Sequence, residues 1–290
     1  MAETFVALDV ETANADLASI CQIGVVTFSD GVITGSWQSL INPKDYFDPT
    51  NVSIHGIDSS SVIGAPTFIE VRPHLGELLE NKVVVSHTAF DRTAFSQVHE
   101  KYGLPLVACQ WLDTARVSRR AWPQFARGGY GLAKVAEHCG IKFRHHDALE
   151  DARAAGEILL RAMSEHGLGI SDWLDRSNYP ISSHGPCSHS REKREGNPNG
   201  PLFGESVVFT GSLSLLRAEA ADLAAAAGCD VGVAVNKTTT MLVVGNEDIR
   251  KLAGHEKSSK HRKAEALIME GQAISILCER DFLALLRVIS

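Results

Sequence analysis

The stretch Phe5-Val6-Ala7-Leu8-Asp9-Val10-Glu11-Thr12 limits what this chain can fold into more than any other. It reads as a buried β-strand whose last turn of sequence carries two carboxylates. Successive side chains on a strand alternate faces, so Asp9 and Glu11 point the same way. Two carboxylates held that close repel each other unless a cation sits between them. An all-oxygen ligand set favours a hard divalent ion, Mg²⁺ or Mn²⁺. Asp-x-Glu after an apolar run also describes a strand meeting a solvated loop. The pair therefore becomes a site only with the three residues found far downstream.

The 290 residues are enough for two domains, and 44% hydrophobic residues supply ample core. The net charge is −7, so any nucleic-acid contact needs a local basic surface or metal ions. No apolar run approaches the roughly 20 residues of a membrane span, and no charged-then-apolar leader precedes the Asp9 strand. The six cysteines are scattered and lack a C-x-x-C pair, which fits reduced thiols in the cytoplasm.

Ser19 to Phe28 and Val32 to Ile41 are β-rich and flank the turn Ser29-Asp30-Gly31, a hairpin signal that makes an antiparallel meander with the first strand. A loop with Pro43, Pro49 and Ile54-His55-Gly56-Ile57 follows. Helical spacing then covers Pro66 to Glu80, Pro73 notwithstanding, and a short buried strand covers Lys82 to Ser86. Thr88 to Tyr102 reads helical, Gln110 to Leu112 as a strand, and Gly131 to Cys139 and Asp147 to His166 as helices. This order gives an α/β domain with a mixed sheet covered on both faces, over residues 1–166. A tail with Trp173, Leu174 and Tyr179 packs on it. Ser182 to Gly200 has linker composition, and 167–202 together form packed tail and linker. His184, Cys187 and His189 offer three zinc ligands there, one short of a structural site. Residues 203–290 read as a small α/β domain of strand-helix-strand-strand-helix-strand-helix order.

Ser86-His87-Thr88-Ala89-Phe90-Asp91 follows a buried strand, and His146-Asp147-Ala148-Leu149-Glu150-Asp151-Ala152 opens a helix. On one continuous helix His146 and Asp151 would diverge by about 140°. They converge if His146 lies in the preceding loop and Asp151 in the first turns. With these residues the sequence resembles the DEDDh group of 3′→5′ exonucleases, the DnaQ-like superfamily that includes the epsilon proofreading subunit of DNA polymerase III. Asp9 and Glu11 match its first motif, Asp91 its second, and His146 and Asp151 its third. Thr88 departs from the Asn often found after the second-motif His. The resemblance covers roughly residues 1–165 and implies an RNase H-like mixed sheet. It also implies two Mg²⁺ or Mn²⁺ ions held by Asp9, Glu11, Asp91 and Asp151, about 3.5–4 Å apart. His146, with an ordinary pKa of about 6.5, then takes the proton of the attacking water. His87 reads as a packing or hydrogen-bonding residue and His145 as solvated.

The same resemblance places Thr12 and Ala13 against the terminal nucleotide and His55, Gly56 and Ile57 in a loop beside its base. Arg116, Arg119, Arg120 and Arg127 offer cations to the phosphates of the scissile strand.

Val207 to Leu213, Gly228 and Asn236 to Gly245 resemble a BRCT domain, of the variety in NAD-dependent DNA ligases and the large subunit of replication factor C. That resemblance implies a phosphate site of Thr210, the Gly211 backbone, Arg217 and Lys260, although Arg217 lies one residue early. A hydroxyl, a free N–H at a helix start and two cations suit a phosphate. The usual Trp of the last helix is absent, with Phe282 or Leu286 in its place.

The sequence thus points to a metal-dependent 3′→5′ exonuclease acting on DNA 3′ ends in repair or replication, with a BRCT module for 5′-phosphorylated DNA ends or a repair partner, and room for a separate polymerase partner. An RNA exonuclease, or a BRCT-led binding factor with an inactive nuclease domain, are the alternatives.

Overall fold

The computed structural model describes residues 3–126, 128–178, 194–245 and 257–288. They fall into two compact units, Met1–Asn178 and Tyr179–Ser290.

The first unit begins with the meander. Strand β1 (Thr4–Thr12) pairs antiparallel with β2 (Ile20–Ser29), and β2 with β3 (Val32–Leu40). Ser29 pairs with Val32, so Asp30 and Gly31 alone make the turn. Both have positive φ, 51° and 81°, the backbone that a two-residue hairpin needs. Strands β4 (Val83–Ser86) and β5 (Gln110–Asp113) then add in parallel, giving the order β3-β2-β1-β4-β5. β1 is therefore the central strand, and its C-terminal end opens beside the end of β4.

Among the described residues, seven α-helices flank the sheet. They are α1 (Pro49–His55), α2 (Phe68–Leu79), α3 (Phe90–Lys101), α4 (Thr114–Ala121), α5 (Leu132–Cys139), α6 (Ala148–His166) and α7 (Ile170–Asn178). The apolar spacing marks α2, α3, α5 and α6 to within two residues. It misses α1 and α4, which are short and polar. Each has an Asp cap: Asp48 accepts from Thr50 N–H at 2.8 Å and Asp113 from Ala115 N–H at 2.8 Å. The tail after 166 is itself helical, and Trp173 of α7 is fully buried in the core of this unit.

Helix α6 lies across β1 and β2 and makes the core with small residues. Ala152, Ala155, Leu159 and Ala162 cluster with Phe5, Ala7 and Phe28. Two glycines set the closeness of that contact. A Cβ on Gly156 would sit 2.2 Å from Phe28 Cε2, and one on Gly24 would sit 2.3 Å from the backbone carbonyl carbon of Ala148. Ala148 N–H also donates to Gln22 Oε1 at 3.1 Å, which fastens the start of α6 to β2.

The second unit carries a parallel sheet in the order β7-β6-β8-β9, from β6 (Ser206–Thr210), β7 (Asp230–Gly232), β8 (Met241–Val244) and β9 (Ser275–Cys278). Among the described residues, helices α8 (Arg217–Ala226), α9 (Ser259–Met269) and α10 (Glu279–Val288) accompany it. Helix α8 starts at Arg217, four residues later than the pattern predicts. The N–H groups of Ser214 and Leu215 are taken by the buried Glu279 carboxylate, at 2.7 and 3.1 Å, which holds them in a loop. Phe282 is buried edge-on against Phe209, their ring centroids 5.4 Å apart.

The stretch of linker composition divides. From 194 onward it belongs to the second unit, since Arg194 bridges Val231 and Gly196 N–H donates to Asp230 at 2.9 Å. His184, Cys187 and His189 lie outside the described residues. Among the described residues, no helix is long and apolar enough to cross a membrane.

Candidate active site

Residues 5, 7, 9 and 11 of β1 share one face. Phe5 and Ala7 are covered by α6, whereas Asp9 and Glu11 lie at the strand's end, where the cover stops at the start of that helix. Asp151, in the first turn of α6, reaches the same place. Ligand oxygens of Asp9, Glu11 and Asp151 all lie within 4.8 Å of one another. Asp91, in the first turn of α3, completes the wall, but its carboxylate is turned to β1 and accepts from Val10 N–H at 3.1 Å. Sequence positions 9, 11, 91 and 151 thus meet because β1 is central, α3 follows its parallel neighbour β4, and α6 crosses above.

The electrostatics of this cluster are costly without a cation. Burial raises the pKa of Asp9 well above the carboxylate range, and the charges of Asp91, Asp151 and Glu11 add to it. Burial likewise pushes Glu11 up to about 8, with Asp151 and Asp91 contributing. Asp91 is also pushed up to about 8 by burial, against the opposing hydrogen bonds from backbone N–H groups. Among the described residues, none of these carboxylates pairs with Lys or Arg. Asp151 is 4% exposed, and its Oδ1 is buried with no hydrogen-bond partner. A buried carboxylate oxygen without a hydrogen-bond partner, on a residue clustered with two more carboxylates, fits a divalent cation.

The other oxygen of Asp151 is held from the loop before α6. Its Oδ2 accepts from His145 Nδ1 at 3.0 Å and from His146 N–H at 3.1 Å. His146 has φ 66°, an unusual value for a residue with a side chain, and this backbone places its N–H on Asp151. The two imidazoles stack, centroids 3.9 Å apart and planes 17° from parallel. His145, read from sequence as solvated, is exposed along one edge but bonded to Asp151 by the other, a correction to that reading. His146 keeps a solvent-facing edge as well. Crowding around the rest of its ring, then the neighbouring His145, push its pKa down to about 4, against the pull of Asp151. Asp147 caps α6 by accepting from Leu149 and Glu150 N–H, both at 3.2 Å, and is ion-paired with Arg144.

His87 is buried between Thr114 Oγ1 at 2.9 Å and the Tyr130 carbonyl at 2.7 Å. The residues expected to touch substrate are tied to one another. Thr12 O accepts from Asn51 Nδ2 at 2.9 Å and from His55 Nε2 at 3.1 Å, while His55 Nδ1 accepts from Ile57 N–H at 3.0 Å. His55 thereby has its tautomer fixed, and burial lowers its pKa. Gly56 ends α1 with φ 77°. Ala13 is buried with both backbone groups engaged, N–H to Ser19 O and carbonyl from Asp48 N–H, and Ile57 packs with it. This set forms a braced rim to the site, and Asn51, unmarked by any sequence pattern, is part of it. Of the four arginines, Arg116 and Arg120 lie half-buried on α4, Arg119 is buried, and Arg127 falls outside the described residues.

In the second unit the predicted phosphate residues gather at the end of β6. Thr210 Oγ1 lies 2.9 Å from Ser258 Oγ, Arg217 Nη2 donates to Gly211 O at 2.6 Å, and Lys260 Nζ donates to Phe209 O at 3.0 Å. Burial and the nearby Arg217 lower the pKa of Lys260. Ser258, the cap of α9, was not marked by the sequence pattern.

Comparison with known proteins gives an independent view. The sequence profile described as RNase_T, Exonuclease, matches residues 6–159. The chain is 32% identical over 165 residues to "DNA polymerase III PolC-type" of Caldanaerobacter subterraneus, covering 56% of this chain and 12% of that protein. It is 28% identical over 177 residues to "DNA polymerase III subunit epsilon" of Aquifex aeolicus, covering 59% of this chain and 86% of that protein. The match therefore spans about an eighth of the PolC-type relatives and most of the epsilon-type one. The structure of "Exonuclease X in complex with 5′ overhanging duplex DNA" is similar in fold, with TM-score 0.50 and 23% identity, covering 60% of this chain and 99% of that chain.

Proposed function

The chain belongs to the exonuclease family, and we propose that it removes nucleotides one at a time from DNA 3′ ends by metal-dependent phosphodiester hydrolysis. The observation that carries this reading is the cluster of half-buried Asp9 and Glu11 with buried Asp151, whose Oδ1 is buried without a hydrogen-bond partner. Asp9, Glu11 and Asp151, with Asp91 beside them, would hold Mg²⁺ or Mn²⁺. When bound, such ions lower the pKa of water and offset charge on the phosphate oxygens. His146, pushed down to about 4, is neutral at pH 7 and so is ready to accept a proton from water at the scissile bond. His145 holds Asp151 in place through Nδ1. The rim from Thr12 to Ile57 bounds the space for the terminal nucleotide.

The DNA preference draws on the relatives, which are DNA polymerase III proteins by name. The same likeness supports the reading that it acts in replication or repair beside a polymerase partner. We read the second unit as a BRCT-like module, supported by its parallel β7-β6-β8-β9 sheet and by the gathering of Thr210, Gly211, Arg217 and Lys260. Its ligand is then a DNA 5′-phosphate or a partner protein. Lys260→Ala would weaken binding to a 5′-phosphorylated duplex by about 10-fold or more relative to the 5′-hydroxyl form. The reading as a whole is tested by incubating purified protein and Mg²⁺ with labelled single- and double-stranded DNA and RNA. Faster shortening of DNA supports it; faster shortening of RNA moves the substrate to RNA.

A further inference from the structure

The chain is acidic overall, yet one face of the first unit gathers arginines. Arg92 follows Asp91 in the first turn of α3, Arg116 and Arg120 lie on α4, and Arg176 lies near the end of α7. Three of them are linked through the backbone: Arg120 Nη1 donates to Arg116 O at 2.9 Å, and Arg176 Nη2 to Arg120 O at 3.4 Å. Arg119 points elsewhere. It is buried over the Tyr130 ring, 4.9 Å from the centroid, and bonds to Ala126 O.

Among the described residues, Arg92, Arg116 and Arg176 form no ion pair. The acid that acts on Arg116 and Arg120 is Asp113, whose Oδ1 is already engaged with the N–H groups of Thr88, Ala115 and Arg116. Burial lowers the pKa of Arg116. Burial, then the charges of Arg116 and Arg119, push Arg120 down to about 10, with Arg176 adding to them. Cations half-buried beside one another store repulsion that a polyanion relieves. Arg116 and Arg120 are one helical turn apart, about 6 Å along the axis, so they present charge in sequence along a line. Arg92, at one end of the row, directly follows the active-site Asp91 in sequence.

We infer that Arg92, Arg116, Arg120 and Arg176 form a track for the phosphodiester backbone of the substrate strand upstream of its 3′ end. The inference rests on the reading that the substrate is a nucleic acid strand. The track would set affinity and processivity on long strands, and would leave the terminal nucleotide to the carboxylate site and its rim. Guanidinium groups suit this task because they meet phosphate oxygens with paired N–H donors.

The test is binding of the full chain to a fluorescent single-stranded 15-mer in EDTA, where no turnover occurs, across a salt series. Each phosphate contact contributes about 0.7 to the slope of log K against log salt on single strands. Arg116→Gln/Arg120→Gln should flatten the slope by about 1.4 and weaken binding by about 10-fold or more. Arg116→Lys/Arg120→Lys should keep the slope, because it keeps the charge. Lys134→Ala, which removes an exposed cation on α5, should change neither. Thermal melts of each variant report on folding. Equal losses in the Gln and Lys variants, or an unchanged slope in the Gln variant, would overturn the track. Wild-type protein with no salt-dependent binding at all would instead sink the nucleic-acid reading beneath it.

Discussion

His145 and His146 stand side by side at Asp151, and their hydrogen bonds give them different tasks. His145 Nδ1 is committed to Asp151, whereas His146 binds Asp151 through its backbone N–H and leaves its ring to the site. His146→Ala should lower turnover by about 10²–10⁴ with little change in the Mg²⁺ concentration at half-activity. His145→Ala, which loosens a metal-facing carboxylate, should raise that Mg²⁺ concentration by about 10-fold. Steady-state assays with a Mg²⁺ titration separate the two. Loss of turnover in His145→Ala with His146→Ala active would move the base by one residue. The carboxylates carry a second prediction. Glu11 and Asp91 have folded-state pKa values of about 8, above the ordinary carboxylate range, and Asp9 is raised as well. The folded metal-free protein therefore binds protons that the unfolded chain has released. That contribution is fully present below the ordinary carboxylate range and is lost as pH rises through about 8. In EDTA, Tm should fall between pH 5 and 8, and fall less for Asp91→Asn, as calorimetry would show. An equal or steeper fall in Asp91→Asn would contradict the repulsion described for this cluster.

Helix α6 is the element on which the site depends, because it delivers Asp151 to the end of β1. Its start is seated on Gly24, which pairs with Asp9 across β1 and β2. A methyl group there would strike the Ala148 backbone at 2.3 Å. Gly24→Ala should therefore lift the first turn of α6, costing about 1–3 kcal/mol and reducing activity well beyond the stability loss. Gly35→Ala is the control, since its Cβ would meet Thr27 at an ordinary 3.9 Å. Urea melts and turnover of both variants decide it, and equal behaviour of the two would contradict the seating. Much of this layout was legible in sequence, since the alternation in β1, the Asp30-Gly31 turn and the apolar spacing of α6 are local signals. Helices α1 and α4 were not, because their short polar faces give no period and only an Asp cap marks each start. Nor was the His145 contact, which depends on the left-handed backbone at His146 rather than on residue type.

Across the whole molecule, composition marked a linker at 182–200 of which the part from 194 onward belongs to the second unit, and the sequence singled out Asp9, Glu11 and Asp151, which the fold brings together. Their meeting depends on a topology that only the fold supplies, with β1 between β2 and β4 and α6 across it. The arginine row was half visible, as Arg116 and Arg120 on a short basic stretch. Arg92 and Arg176 join it from helices α3 and α7, and Arg119 leaves it for Tyr130. The central claim is that this carboxylate cluster removes nucleotides from 3′ ends. The most direct measurement uses a 5′-end-labelled DNA oligonucleotide with Mg²⁺, wild-type protein and Asp151→Asn, resolved by length over time. Wild type should yield a ladder of labelled products shortening one nucleotide at a time, and Asp151→Asn or EDTA should abolish it. Immediate release of labelled mononucleotide, or an equal ladder from Asp151→Asn, would contradict the account.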